Sequence, residues 1–260
     1  MSASYWENGA GEATRTGAFW RNTFTFKNFF ELRTELDYFP KRWDDLESEG
    51  NGSYRVDDRW FGDLAFGTDA SRQLSFSGRV GARQEELSGW SINGALGFTW
   101  KPSHRFSMDL DLNYQDRDGW LLNTTGRQFT TYAADDLQPR LAVDLFLSAR
   151  QQFRMSLQWA GIKAEEQQRW FLPEDGDGYL IEVEPDPDAS PRDFVINRMT
   201  VQLRYRWQIA PLSDLFLVYT RGSNITDNTL DDDFGDLFYD ALTEPVVDFF
   251  VVKLRYRFGL

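Results

Sequence analysis

The sequence contains no cysteine, which excludes a disulfide framework and any cysteine-based metal or redox site. It contains one histidine, His104. Lysine and arginine number 28 against 41 acidic residues, a net charge of −13. That balance excludes a nucleic-acid surface, which needs cations to meet phosphates. No apolar run approaches the roughly 20 residues that a membrane helix needs. The start, Met1-Ser-Ala-Ser-Tyr-Trp6, lacks the basic and then apolar pattern of a secretory leader. The chain is therefore expected to be a mature form or the C-terminal part of something longer.

Aromatics are abundant, with 22 Phe, 10 Trp and 10 Tyr, although 27% of residues are charged. Mean hydropathy is negative, −0.54. An apolar outer face with a polar inner face and polar loops reconciles these values, because averaging hides the outer face. The chain end shows the pattern best. In Val246-Val-Asp-Phe-Phe-Val-Val-Lys-Leu-Arg-Tyr-Arg-Phe-Gly-Leu260, Phe250, Val252, Leu254, Tyr256, Phe258 and Leu260 share one face of a strand. Lys253, Arg255 and Arg257 take the other. An apolar, aromatic-rich face ending in Tyr256-x-Phe258-x-Leu260 resembles the signal read by the outer-membrane barrel-assembly machinery.

The alternation repeats through about eleven segments, with Ser2–Asn8 as an uncertain further strand. Trp90, Ile92, Gly94, Leu96, Phe98 and Trp100 share a face with a tryptophan at each end. Ten steps of about 3.3 Å, tilted roughly 40°, rise about 25 Å, the height of an outer-membrane apolar band. Trp90, Trp100, Trp207, Tyr256 and Phe258 are then interface anchors. Connections alternate between short turns (near 27–28, 68–71, 101–104, 149–151 and 210–213) and long polar loops at 40–57, 117–127, 165–192 and 223–245. The expected fold is all-β: an antiparallel transmembrane β-barrel of about twelve strands, one domain over residues 1–260, with short periplasmic turns and long acidic extracellular loops. A soluble β-sandwich is the rival, but it would have to bury each apolar face against a second sheet.

The segments Trp207-Gln-Ile-Ala-Pro-Leu-Ser-Asp-Leu-Phe-Leu-Val-Tyr-Thr-Arg221 and Asp248–Leu260 resemble the last hairpin of the DUF5916 family, and residues 89–103 resemble its membrane hairpins. The resemblance implies a bacterial outer-membrane protein of unknown function, often with a carbohydrate-binding family 9-like domain before the barrel. That domain is absent from this sequence, so carbohydrate binding does not carry over, and the family implies no catalytic residues here.

Catalysis by a barrel hydrolase would need a Ser–His pair or an Asp–His dyad. The sole histidine sits in the turn Lys101-Pro-Ser-His-Arg105, at the expected periplasmic rim. No enzyme is expected. The inward positions carry Arg154, Arg198, Arg204, Arg206, Lys253, Arg255 and Arg257 together with Glu31, Glu35, Asp109, Asp111 and Asp144. These charges either pair and plug the lumen or leave a cationic wall along an anion-preferring path. The leading expectation is a small channel or passive scaffold; the alternatives are the membrane anchor of a carbohydrate-binding or surface-assembly protein and, last, a hydrolase. No cofactor is expected. The acidic loops, with Asp175, Asp177, Asp231, Asp232 and Asp233, are candidates for weak Ca²⁺ binding or for divalent bridges to lipopolysaccharide. Expected partners are outer-membrane lipid, lipopolysaccharide, the assembly machinery and a periplasmic or surface partner domain.

Overall fold

Period-two alternation becomes a single antiparallel meander. The computed structural model describes residues 1–184, 189–226 and 229–258. In chain order the strands are β1 (Ser2–Ser4), β2 (Gly17–Thr25), β3 (Glu31–Phe39), β4 (Arg42–Asp44), β5 (Tyr54–Val56), β6 (Arg59–Gly67), β7 (Leu74–Gln84) and β8 (Trp90–Ser103). They continue with β9 (Phe106–Thr125), β10 (Gln128–Ser148), β11 (Gln151–Phe171), β12 (Ile181–Val183), β13 (Phe194–Ala210) and β14 (Ser213–Ile225). Helix α1 (Phe234–Thr243) precedes the last strand, β15 (Val247–Arg255). One sheet of thirteen strands runs β1-β2-β3-β6-β7-β8-β9-β10-β11-β13-β14-β15, with β12 added on β11, while β4 and β5 form a separate hairpin. The weak N-terminal candidate is thus a real strand, but only over Ser2–Ser4.

The long connections differ from expectation. The polar stretch 117–127 is not a loop: β9 and β10 stay paired up to a tight hairpin at Gly126-Arg127. Gly119 instead forms a bulge, at φ +88°, where a Cβ would collide with the Ser88 carbonyl. Similarly, β11 runs through Phe171, and the segment 223–245 contains α1. Polar composition cannot separate a loop from a strand that projects into water, since both are solvated. Strands of 20 and 21 residues far exceed the roughly 9–11 that span a bilayer.

Among the described residues, no pairing joins β15 to β1 or β2, so the sheet is not a closed barrel. β1 covers only Gly17–Phe19 of β2. The sheet is nevertheless curled. One cavity of about 380 Å³ is lined by Glu31 and Arg33 on β3 and by Arg140 on β10. Those strands are five neighbours apart, about 24 Å in a flat sheet. The exposed surface is 16228 Å², against about 11,800 Å² for a compact globular chain of this mass. The excess is what a single sheet layer without a covering layer produces.

Burial is concentrated at the end away from the short turns. There Tyr54, Val56, Leu121, Phe129, Leu172 and Leu180 form one cluster, and Tyr132, Ala134 and Ala164 another, packed by Trp120, Leu122 and Phe194. A third lies beneath α1. The helix begins at Asp233, whose carboxylate accepts from the Gly235 and Asp236 N–H groups, the N-cap that satisfies orphan donors. Its apolar stripe places Leu237 and Ala241 on Trp159 and Met199. Asn197 is fully buried, accepts from Trp159 Nε1 at 2.9 Å and donates to the Leu237 carbonyl at 2.7 Å. Asn197→Leu strands both partners, so a cost of about 1–3 kcal/mol is expected. Hydrogen exchange should quicken across residues 234–243 and leave β7–β9 unchanged.

Candidate functional site

The sheet has two chemically distinct faces. On one lie Phe76, Val80, Ile92 and Leu96, all well exposed, and Leu96 is 64% exposed. Trp90 and Trp100 stand at either end of that row, at 47% and 40% exposure. Trp207 lies at the turn end of β13, opposite Leu215. Tyr256 and Phe258 follow β15 with their rings in edge contact, 4.8 Å between centroids. Leu260 lies outside the described residues. Such a contiguous exposed apolar surface marks an interaction with membrane or partner rather than with water. Leu254 pairs with Leu215 beside the Pro211-Leu212 turn, and the middle of β15 is Phe250 to Val252.

The opposite face is polar, and neighbouring strands neutralise one another across it. Arg21 on β2 meets Glu35 at 2.6 Å and Asp37 at 3.0 Å on β3. Arg79 on β7 meets Asp63 on β6 at 2.6 Å. Within β3, Arg33 meets Glu31 at 2.9 Å. Asp109 accepts from the Thr99 hydroxyl at 2.7 Å, and Asp111 stands in register with Arg140. Asp144 takes both Gln152 and Arg154, the latter at 2.9 Å. Pairs as exposed as these contribute about 0–1 kcal/mol each, so their main consequence is a nearly balanced wall over β2–β11.

The balance fails at the C-terminal end. β13, β14 and β15 are adjacent in the sheet, as their sequence order suggests, and they gather Arg198, Arg204, Arg206, Lys253 and Arg255. Asp214, at 2% exposure, accepts from Arg206 at 3.0 Å and from Arg255 at 2.9 Å. Asp214 directly follows the 210–213 turn, and its even number puts it in the polar-face register of Phe216 and Thr220. Arg198 donates to Asn224 at 2.7 Å. The Arg257 backbone N–H donates to the Ser213 hydroxyl at 3.1 Å. Among the described residues, Arg204 and Lys253 meet no carboxylate within 4.0 Å. This wall therefore keeps excess positive charge.

At the strand ends away from the short turns a cavity of about 430 Å³ is lined by Arg42, Arg59, Arg83, Arg117, Glu47, Glu86, Trp60 and Trp120. Burial lowers the affinity of Arg42 for its proton. Arg59 pairs with Glu86 at 2.9 Å, and Glu86 also accepts from the Tyr54 hydroxyl at 2.6 Å. Burial first, and the Glu86 charge second, push the Tyr54 phenol far above its ordinary value of 10.0. The folded state therefore retains this proton where the unfolded chain has lost it, so the contribution of Tyr54 is complete below about pH 10 and declines above it. A pH titration should show this end of the sheet opening from about pH 10 upward. Tyr54→Phe should remove that alkaline loss, as read from near-ultraviolet dichroism.

Trp170, near the end of β11, packs on the Tyr54 and Phe129 cluster, and Tyr179 lies under Arg55. The acidic candidates have local partners. Asp177 accepts from the Tyr179 N–H at 3.3 Å, Asp232 from the Thr229 N–H at 2.7 Å, and Asp233 caps α1. Asp175 and Asp231 are exposed. Among the described residues, no three acidic, histidine or cysteine side chains converge as a metal site. Asp186, Asp188 and Asp227 lie outside the described residues. His104 occupies the two-residue turn between β8 and β9 and is exposed.

The architecture defines an all-β protein built as one antiparallel meander, curled around a polar face with its apolar face uncovered. The chain belongs to the DUF5916 family, a domain of unknown function, whose profile matches residues 4–258. No curated protein matches the chain.

Proposed function

We propose that this chain is a bacterial outer-membrane β-barrel whose polar face lines a small, anion-preferring aqueous path. The observation that carries the reading is the exposed apolar face bordered by Trp90 and Trp100, on a sheet already curled around its polar side. In a membrane the apolar face meets lipid, and closing β15 onto β1 and β2 satisfies the two free edges, which hydrocarbon does not tolerate. Twelve strands lie on the main path, an even number, so the first and last run antiparallel and close in the usual sense. Excess charge from Arg204 and Lys253 supplies the anion preference. Insertion through the barrel-assembly machinery and contact with lipopolysaccharide accompany this placement. No enzymatic role is assigned, because the only imidazole is in a turn.

A second reading, the passive scaffold or anchor of a surface partner, is favoured by the ion pairs over β2–β11, which would fill a narrow lumen. Single-channel recording of the refolded chain in a planar bilayer separates the two. Steady openings with an anion-selective reversal potential are expected. A chain that resists detergent until boiled, yet stays electrically silent, overturns the channel in favour of the scaffold.

A further inference from the structure

The polar face carries an apolar patch beside cations on the C-terminal strands. β7, β8 and β9 present only Ser, Thr, Gly, Ala, Asn, Gln, Asp and Arg there between Ser75 and Arg117. On β14 and β15 the same face turns apolar: Phe216 stands opposite Lys253, and Val218 opposite Val251. Arg206 and Arg204 flank them on β13, in register with Phe216 and Val218. Together with Arg154, these side chains line a cavity of about 360 Å³, within the roughly 300–1,000 Å³ of small-molecule sites. An apolar floor is a costly thing to place on a wetted wall. Its cations are unevenly used: Arg154 is paired with Asp144 and Arg206 with Asp214, whereas Arg204 and Lys253 have no carboxylate within 4.0 Å among the described residues.

We propose that this cavity binds a single-chain aliphatic carboxylate. The carboxylate lies between Arg204 and Lys253, with the guanidinium offering a two-donor fork. The chain lies over Phe216, Val218 and Val251. Neither half suffices alone: a small anion leaves the apolar floor wet, and a neutral alcohol leaves two cations unpaired. Each methylene withdrawn from water tightens binding about fourfold. The inference names a ligand for the polar face of the proposed function, but it needs only the local β13–β15 geometry, not an open path.

The test is a carbon-13 NMR titration of the refolded chain in lipid nanodiscs with carboxyl-labelled octanoate, acetate and labelled octanol, against empty nanodiscs. Octanoate is expected to saturate one site, with acetate at least a hundredfold weaker and octanol at least tenfold weaker. Arg204→Gln and Lys253→Gln should each weaken octanoate about tenfold, and the near-isosteric Val251→Thr should narrow its advantage over acetate. Migration of unboiled protein on a detergent gel confirms that each variant is folded. Equal binding of octanoate and acetate, or unchanged affinity in folded Arg204→Gln and Lys253→Gln, overturns the proposal. A chain that binds octanoate but carries no current retains this site and loses the channel; one that conducts but ignores octanoate does the reverse.

Discussion

Leu96→Arg is expected to cost about 2–4 kcal/mol when the chain is refolded into lipid, the penalty for a cation near the middle of a barrel's lipid face. Leu96 lies between Trp90 and Trp100, in register with Gly78 and Leu112, and is 64% exposed. Exposure makes the result decisive. In a water-soluble sheet the same change falls within about 0.5 kcal/mol of neutral and improves solubility. The measurement is the denaturant midpoint of folding into bilayers of defined thickness. The mirror experiment, Ala95→Arg on the polar face, adds a cation beside the cavity lined by Asp111 and should be tolerated. A tolerated Leu96→Arg with a damaging Ala95→Arg would mean that the faces are reversed.

The second large effect is expected from the double variant Arg206→Gln with Arg255→Gln, at about 3–5 kcal/mol. Asp214 is 2% exposed, and these two guanidiniums supply its ion pairs. Either single change leaves one partner and should cost only about 1 kcal/mol, because both arginines are more than half exposed. The sum of the singles therefore falls well short of the double, the non-additivity of residues that share a partner. Adding Asp214→Asn to the double variant removes the unpaired buried charge and should restore most of the loss. If the double costs no more than the two singles added, Asp214 is solvated in the folded protein. Alternation alone makes Arg255 a free lumen cation; the structure gives it a buried partner, Asp214, shared with Arg206 two strands away.

Strand identity was legible because it depends on neighbours in sequence. A period of two in Phe106–Tyr114 or in Val195–Trp207 can be satisfied only by an extended chain with unlike faces, and those segments are strands in the expected register. The tight turn at Pro211-Leu212 and the family likeness were legible for the same local reason. Helix α1 was also within reach: Asp233 before Phe234, Leu237, Phe238 and Ala241 is an N-cap followed by helical spacing. Its acidic, glycine-containing start read instead as solvated loop. Gly119 was missed because a bulge and a loop share the same composition.

The all-β class, the antiparallel order, the two unlike faces and the family likeness all follow from local alternation and turn chemistry. Which charges meet and which are left over depends on the folded sheet. Arg21 finds Asp37, and Arg206 shares Asp214 with Arg255, because strand register and curl set distances between residues remote in the chain. The same cause leaves Arg204 and Lys253 beside Phe216 and Val218. Pairing across a sheet depends on register, a long-range quantity that no window of sequence contains.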